Sequence, residues 1–104
     1  MVRKEFSELK GFIKRVKAKY RDSKIILFGS RARNEHLEDS DYDFIIISER
    51  FSGMHFADRI EQIQSLWTSH ADVEPLCYTP KEFDEKKSEI GIVNEAAREG
   101  IVLA

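Results

Sequence analysis

The stretch Ile25–Ser48, IILFGSRARNEHLEDSDYDFIIIS, holds two apolar runs separated by a compact polar segment. The runs, Ile25–Phe28 and Phe44–Ile47, are short and rich in β-branched and aromatic residues, which predicts two buried strands. The polar segment opens with Gly29-Ser30 and closes with Asp41-Tyr42-Asp43. A Gly-Ser at a strand end leaves backbone N–H groups free to approach a phosphate, because glycine has no Cβ in the way. Asp41 and Asp43 are two apart, so on a strand both carboxylates point to one face. Carboxylates paired in this way suit a divalent ion such as Mg²⁺ whose other ligands are water and substrate phosphate. A phosphate cradle beside a metal platform points to the movement of a phosphoryl or nucleotidyl group.

The spacing Gly29-Ser30, ten residues, Asp41-x-Asp43 resembles the signature of the nucleotidyltransferase superfamily that includes DNA polymerase β. With Ser30-Arg31-Ala32-Arg33 and the short chain, the sequence looks most like the small prokaryotic minimal nucleotidyltransferases. The likeness runs from about Phe6 to Leu103, with the discriminating residues between Gly29 and Asp72. Family members usually carry Gly after the second Arg, where this chain has Asn34-Glu35. Asn tolerates left-handed backbone angles better than most residues, so the turn can be kept.

A length of 104 residues predicts one domain over residues 1–104, and 41% apolar residues can fill a modest core. The net charge of −2, with a pI near 5.9, argues against a sequence-independent grip on nucleic acid and so against a nucleic-acid template. A single cysteine, Cys77, excludes an internal disulfide and cannot alone make a zinc site. Neither a signal peptide nor a long apolar span is recognisable, so the expected location is the cytoplasm, with no membrane contact.

In chain order, Phe6, Leu9, Ile13, Val16 and Tyr20 recur at helical spacing and predict an amphipathic helix over about Glu5–Tyr20. The lysines off that stripe read as a solvated face rather than as an acidic partner's contact. Asp22-Ser23 turns the chain into the first strand. Arg31-Ala32-Arg33 is expected to begin a short helix aimed at the phosphate site, with Arg31 among the nucleotide contacts. Glu35, Glu38 and Asp39 read as loop acids, His36 as an exposed loop histidine and Ser40 as the entry to the second strand. Glu49–His55 reads as a loop turning at Gly53. Phe56, Ile60, Ile63 and Trp67 predict a second amphipathic helix, with Asp58, Arg59, Glu61 and Gln62 outward and His70 near its C-terminal cap. The spacing of Trp67 favours the core over a stacked base. Ala71–Tyr78 reads as a third strand beside the second, with Pro75 hinting at an edge or strand end. Thr79-Pro80-Lys81-Glu82 is a capping box with proline at the first helical position, and the helix it starts can break near Gly91. Gly100 is the expected C-cap, and Ile101-Val102-Leu103 is either a terminal strand or a docking tail.

These elements predict an α/β (α+β) fold, a mixed sheet of three to five strands packed with helices. The connection from Phe28 to Asp41 is near the minimum for a parallel crossover, which favours antiparallel pairing of the first two strands.

The resemblance implies a third carboxylate on the third strand; Asp72 matches, and Glu74, two residues on, is its rival. It further implies two Mg²⁺ ions held by Asp41, Asp43 and Asp72, and Gly29, Ser30 and Arg31 on the phosphates of a nucleoside triphosphate, with ATP as donor. The chain has no room for the second domain of larger relatives, so the acceptor comes from a separate molecule or from another copy in a homo-oligomer. By the same resemblance that acceptor is a tyrosine of a HEPN-domain toxin, to which this chain acts as antitoxin by transferring AMP. The alternatives are a catalytically weak partner-binding subunit, or transfer to a small molecule held by a separate subunit.

Overall fold

A computed structural model describes residues 4–29, 31–32, 41–69, 71–89 and 91–104. The expectations for Ser30, Arg33, Asn34, Glu35, His36, Glu38, Asp39, Ser40 and His70 fall outside these residues, as does the Phe6 side chain. Helix α1 (Lys4–Lys19) buries Phe12 and Val16 completely, with Tyr20 just past its end and Leu9 and Ile13 half-buried. Phe12 is missing from the expected stripe yet lies at its centre. Leu9-Phe12-Val16-Tyr20 and Leu9-Ile13-Val16-Tyr20 satisfy helical spacing equally, and packing chooses between them.

Strands β1 (Lys24–Phe28) and β2 (Tyr42–Ile47) pair antiparallel, from Lys24 opposite Ile47 to Phe28 opposite Asp43. Strand β3 (Val73–Tyr78) runs parallel to β2, and the short β4 (Ile101–Val102) pairs antiparallel with β1. The order is β3-β2-β1-β4, a mixed four-stranded sheet as expected, with Pro75 on an edge strand. A parallel neighbour requires a crossover; a 3-10 turn (Glu49–Phe51) and helix α2 (Phe56–Gln64) supply it. The Asp22 carboxylate accepts bonds from the Ser48 hydroxyl and the Glu49 N–H, both at 2.7 Å, fastening the turn before β1 to the end of β2.

Alternation sends Ile25, Leu27, Phe44, Ile46 and Cys77 to the core under α1 and α2. Ile26, Ile45, Ile47 and Tyr78 point the other way, under helices α3 (Pro80–Lys87) and α4 (Ile92–Glu99), which contribute Phe83, Val93 and Ala96. Covered on both faces, β2 carries an unbroken apolar run. The capping box forms: Thr79 Oγ1 accepts from the Glu82 N–H at 3.2 Å, and Glu82 Oε1 from the Thr79 N–H at 2.8 Å. The break near Gly91 and the C-cap at Gly100 also stand, the Gly100 N–H returning to the Ala96 carbonyl at 2.8 Å.

Three expectations are corrected. Helix α2 stops at Gln64, so Trp67 lies in the turn beyond it, although its ring is packed as expected. Phe56, assigned to the buried stripe, is 47% exposed, lying edge-on to Tyr78. Arg59, assigned outward, is buried: it shares the inner face with Ile63, one helical turn away. Its guanidinium donates to the carbonyls of Met54 and Cys77 and pairs with Glu82 at 2.7 Å, so each of its three nitrogens meets an oxygen.

Candidate active site

Because β1 runs antiparallel to β2 and β3 runs parallel to it, the end of β1 meets the starts of β2 and β3. Gly29, Asp41, Asp43, Asp72 and Glu74 are thereby gathered at one end of the sheet. Asp43 stands opposite Phe28 on one side and Glu74 on the other. Extending the same register by one residue sets Asp41 opposite Asp72, and alternation turns Asp43 and Glu74 toward the α3/α4 face.

The electrostatics single out Asp43. Its carboxyl is pushed above the ordinary carboxylate pKa by burial first, then by the charges of Glu74 and Asp41, and by a hydrogen bond with Glu74. Gly29 has φ +76°, and a Cβ there would lie 2.6 Å from Asp43 Oδ2. The missing side chain is therefore the space that the Asp43 carboxylate occupies. Asp72 is exposed just ahead of β3, its carbonyl accepting the Tyr42 N–H at 2.9 Å. Sequence alternation left Asp72 and Glu74 equivalent; the inter-strand register gives the place beside Asp43 to Glu74.

Among the described residues, no group of three or more His, Cys, Asp or Glu side chains is arranged as a ready set of metal ligands. The donor chemistry nevertheless fits a divalent cation. Asp43, partly buried and pressed by two other carboxylates, is in the situation that a bound cation relieves.

Two recesses flank these acids. One, of about 200 Å³, lies between the end of β1 and α4, lined by Phe28, Gly29, Ala32, Asp43, Ile92, Glu95, Ala96 and Glu99. The other, of about 420 Å³, opens at the start of β3, lined by Asp41, Gln64, Trp67, Ser69, Ala71, Asp72, Val73 and Glu74. The part taken by α4 has no signature in the sequence beyond helical periodicity. Arg31, expected at a phosphate, is buried with its guanidinium 4.1 Å from the centre of the Tyr42 ring, which belongs to the α1/α2 core.

The sequence profile of the nucleotidyltransferase domain matches residues 9–98. A curated protein of Methanocaldococcus jannaschii, named "Putative protein adenylyltransferase MJ0604", is 45% identical over 47 residues, covering 43% of this chain and 47% of that protein. The match thus spans about half the length of this relative. A crystal structure from Sulfolobus solfataricus, described as that of "a putative nucleotidyltransferase", superposes with a TM-score of 0.66 over 92% of this chain and 76% of that chain. The two are 18% identical, and the likeness is one of fold.

Proposed function

The chain belongs to the nucleotidyltransferase-domain family, and from that premise we propose that it transfers AMP from ATP to a hydroxyl of a separate protein. The observation that carries this is Asp43, held against Gly29 and pressed by Glu74 and Asp41 at the meeting of three strand ends. The name of the Methanocaldococcus relative supports a protein acceptor.

Gly29 and Ser30 hold the β- and γ-phosphates through backbone N–H groups, glycine having no Cβ to bar the approach. Asp41 and Asp43 are the residues that would hold Mg²⁺, two ions in all. For the third carboxylate, the register, which sets Glu74 beside Asp43, favours Glu74 over Asp72. When bound, the metal supplies charge neutralisation on the triphosphate and a lowered pKa at the acceptor hydroxyl. In the transfer the acceptor oxygen bonds to the α-phosphorus, the bond from that phosphorus to the bridging oxygen breaks, and pyrophosphate leaves. Glu74 or Asp72 takes the hydroxyl proton. The sequence resemblance to minimal nucleotidyltransferases extends the reading to a HEPN-domain toxin as acceptor, through a tyrosine, with this chain as antitoxin.

The test is incubation with α-labelled ATP and Mg²⁺ in extract of the source cells, with the Asp41→Asn, Asp43→Asn double variant as control. The expected outcome is a labelled protein that the double variant does not label. Full labelling by the variant would sink the mechanism. A second reading, a partner-binding subunit without catalysis, draws on the lack of a ready three-ligand cluster among the described residues. It predicts no label on any protein or small molecule; a labelled small molecule would instead identify that acceptor class.

A further inference from the structure

Behind the carboxylates, one stack of side chains touches all three strand ends that the proposed transfer uses. We propose that Arg31 is a positioning residue: through Tyr42 and Trp67 it holds the end of β1 at Gly29 and the starts of β2 and β3 in one arrangement. This rests on the reading that Gly29, Asp41, Asp43 and Glu74 form the transfer site.

Arg31 follows Gly29 by two residues and is only 8% exposed. Its Cζ lies 4.1 Å from the Tyr42 ring centre, and its Nη1 donates to the Tyr42 hydroxyl at 3.3 Å. Tyr42 sits between Asp41 and Asp43, so alternation turns its ring away from their carboxylates. A shift of that ring displaces both acids. The ring packs in turn on Trp67, with 5.0 Å between centres. Trp67 donates its Nε1–H to the Ala71 carbonyl at 2.7 Å, while the Tyr42 N–H donates to the Asp72 carbonyl at 2.9 Å. Both bonds fix the entry to β3, whose second residue is Glu74. The chain of contacts thus runs from just past the end of β1, through the strand of the paired acids, to the strand of the third. A guanidinium lying on a ring of the α1/α2 core is turned away from the face that carries Asp43. What the stack asks of residue 31 is a plane that lies on an aromatic face, which an arginine has and a lysine lacks.

Two conservative variants separate this role from a direct phosphate contact. Arg31→Gln keeps a planar group and loses the charge; Arg31→Lys keeps the charge and loses the plane. Trp67 is the only tryptophan, so its emission reports the stack without nucleotide. Labelling from α-labelled ATP in extract gives the apparent kcat and KM for ATP. The expected result is that Arg31→Lys shifts Trp67 emission to longer wavelength and lowers kcat by about 100-fold, as a displacement near 1 Å can do. Its KM for ATP stays near the parent's, and Arg31→Gln retains the larger share of both the emission and the rate. The reverse order, with Lys rescuing KM and Gln failing, would establish a phosphate contact and overturn the proposal. So would Trp67 emission unmoved in both variants. If the parent itself labels nothing, the transfer reading falls and takes this role with it. A parent that labels, with variants in the wrong order, defeats the positioning role alone.

Discussion

At the scale of single residues, Asp43 carries the conflict between function and stability. An acid whose pKa in the fold lies above its unfolded value binds its proton more tightly when folded. Its contribution to stability is present below the unfolded pKa and is lost as pH rises through the folded one. At neutral pH the ionised Asp43 therefore weighs against the metal-free fold, burial being the largest cause. Asp43→Asn should raise the metal-free Tm at pH 7 by a few degrees while abolishing labelling; a lower Tm, read by calorimetry, would contradict this account. Gly29 offers a second residue-scale test. Gly29→Ala combines a left-handed φ of +76° with a Cβ 2.6 Å from Asp43 Oδ2, whereas Gly53 has φ +80° and no atom within 4 Å of a Cβ. Left-handed strain alone costs about 1–2 kcal/mol. Gly53→Ala should lose only that in denaturant unfolding, while Gly29→Ala loses more and ceases to transfer.

At the scale of elements, Arg59 joins α2, β3 and α3, because one guanidinium reaches the Met54 and Cys77 carbonyls and the Glu82 carboxylate. Its side chain is 5% exposed and that of Glu82 33%. Arg59→Met strands two carbonyls and a half-buried acid, and a loss of about 3 kcal/mol is expected, the lower end for a broken buried pair because Glu82 can reach water. The Glu82 pKa is depressed below its ordinary 4.5, by its bond to Arg59 first. A depressed acid contributes stability above its unfolded pKa and loses it as pH falls through the folded one. Parent stability should therefore decline below about pH 4.5 more steeply than that of Glu82→Gln, in denaturant melts over that range. Thr79-Pro80-Lys81-Glu82 was legible as a helix start because its interactions span three residues. Its partner Arg59 was not, since the pair joins positions 23 residues apart.

At the scale of the whole molecule, the sheet order places β1 and β2 inside and β3 and β4 at the edges. Amides of Ile26, Ile45 and Ile46 should be the slowest to exchange. Those of β4, whose two residues are 46% and 56% exposed, should be among the fastest. Ligand linkage acts on the fold as a unit. Mg²⁺ with ATP at about 100 times its dissociation constant adds about 2.7 kcal/mol. In a domain of this size that is a Tm rise of about 10 °C or more. The Asp41→Asn, Asp43→Asn variant should show little of it; an equal rise would mean that the nucleotide binds elsewhere.

The sequence alone determined what neighbouring residues settle between themselves. Short β-branched and aromatic runs made Ile25–Phe28 and Phe44–Ile47 strands, and the Gly29-Ser30 and Asp41-x-Asp43 spacing marked the candidate site. Helical periodicity and capping chemistry marked most helix ends within a few residues. Tertiary structure decided what distant segments settle together. Whether Asp72 or Glu74 stands beside Asp43 depends on the register of β3 against β2. Whether Arg31 and Arg59 point to solvent depends on rings and carbonyls brought by other elements. Asp72 and Glu74 satisfy the same local alternation, so nothing within reach of either residue distinguishes them. The choice is made by backbone hydrogen bonds and packing between strands separated by a full crossover.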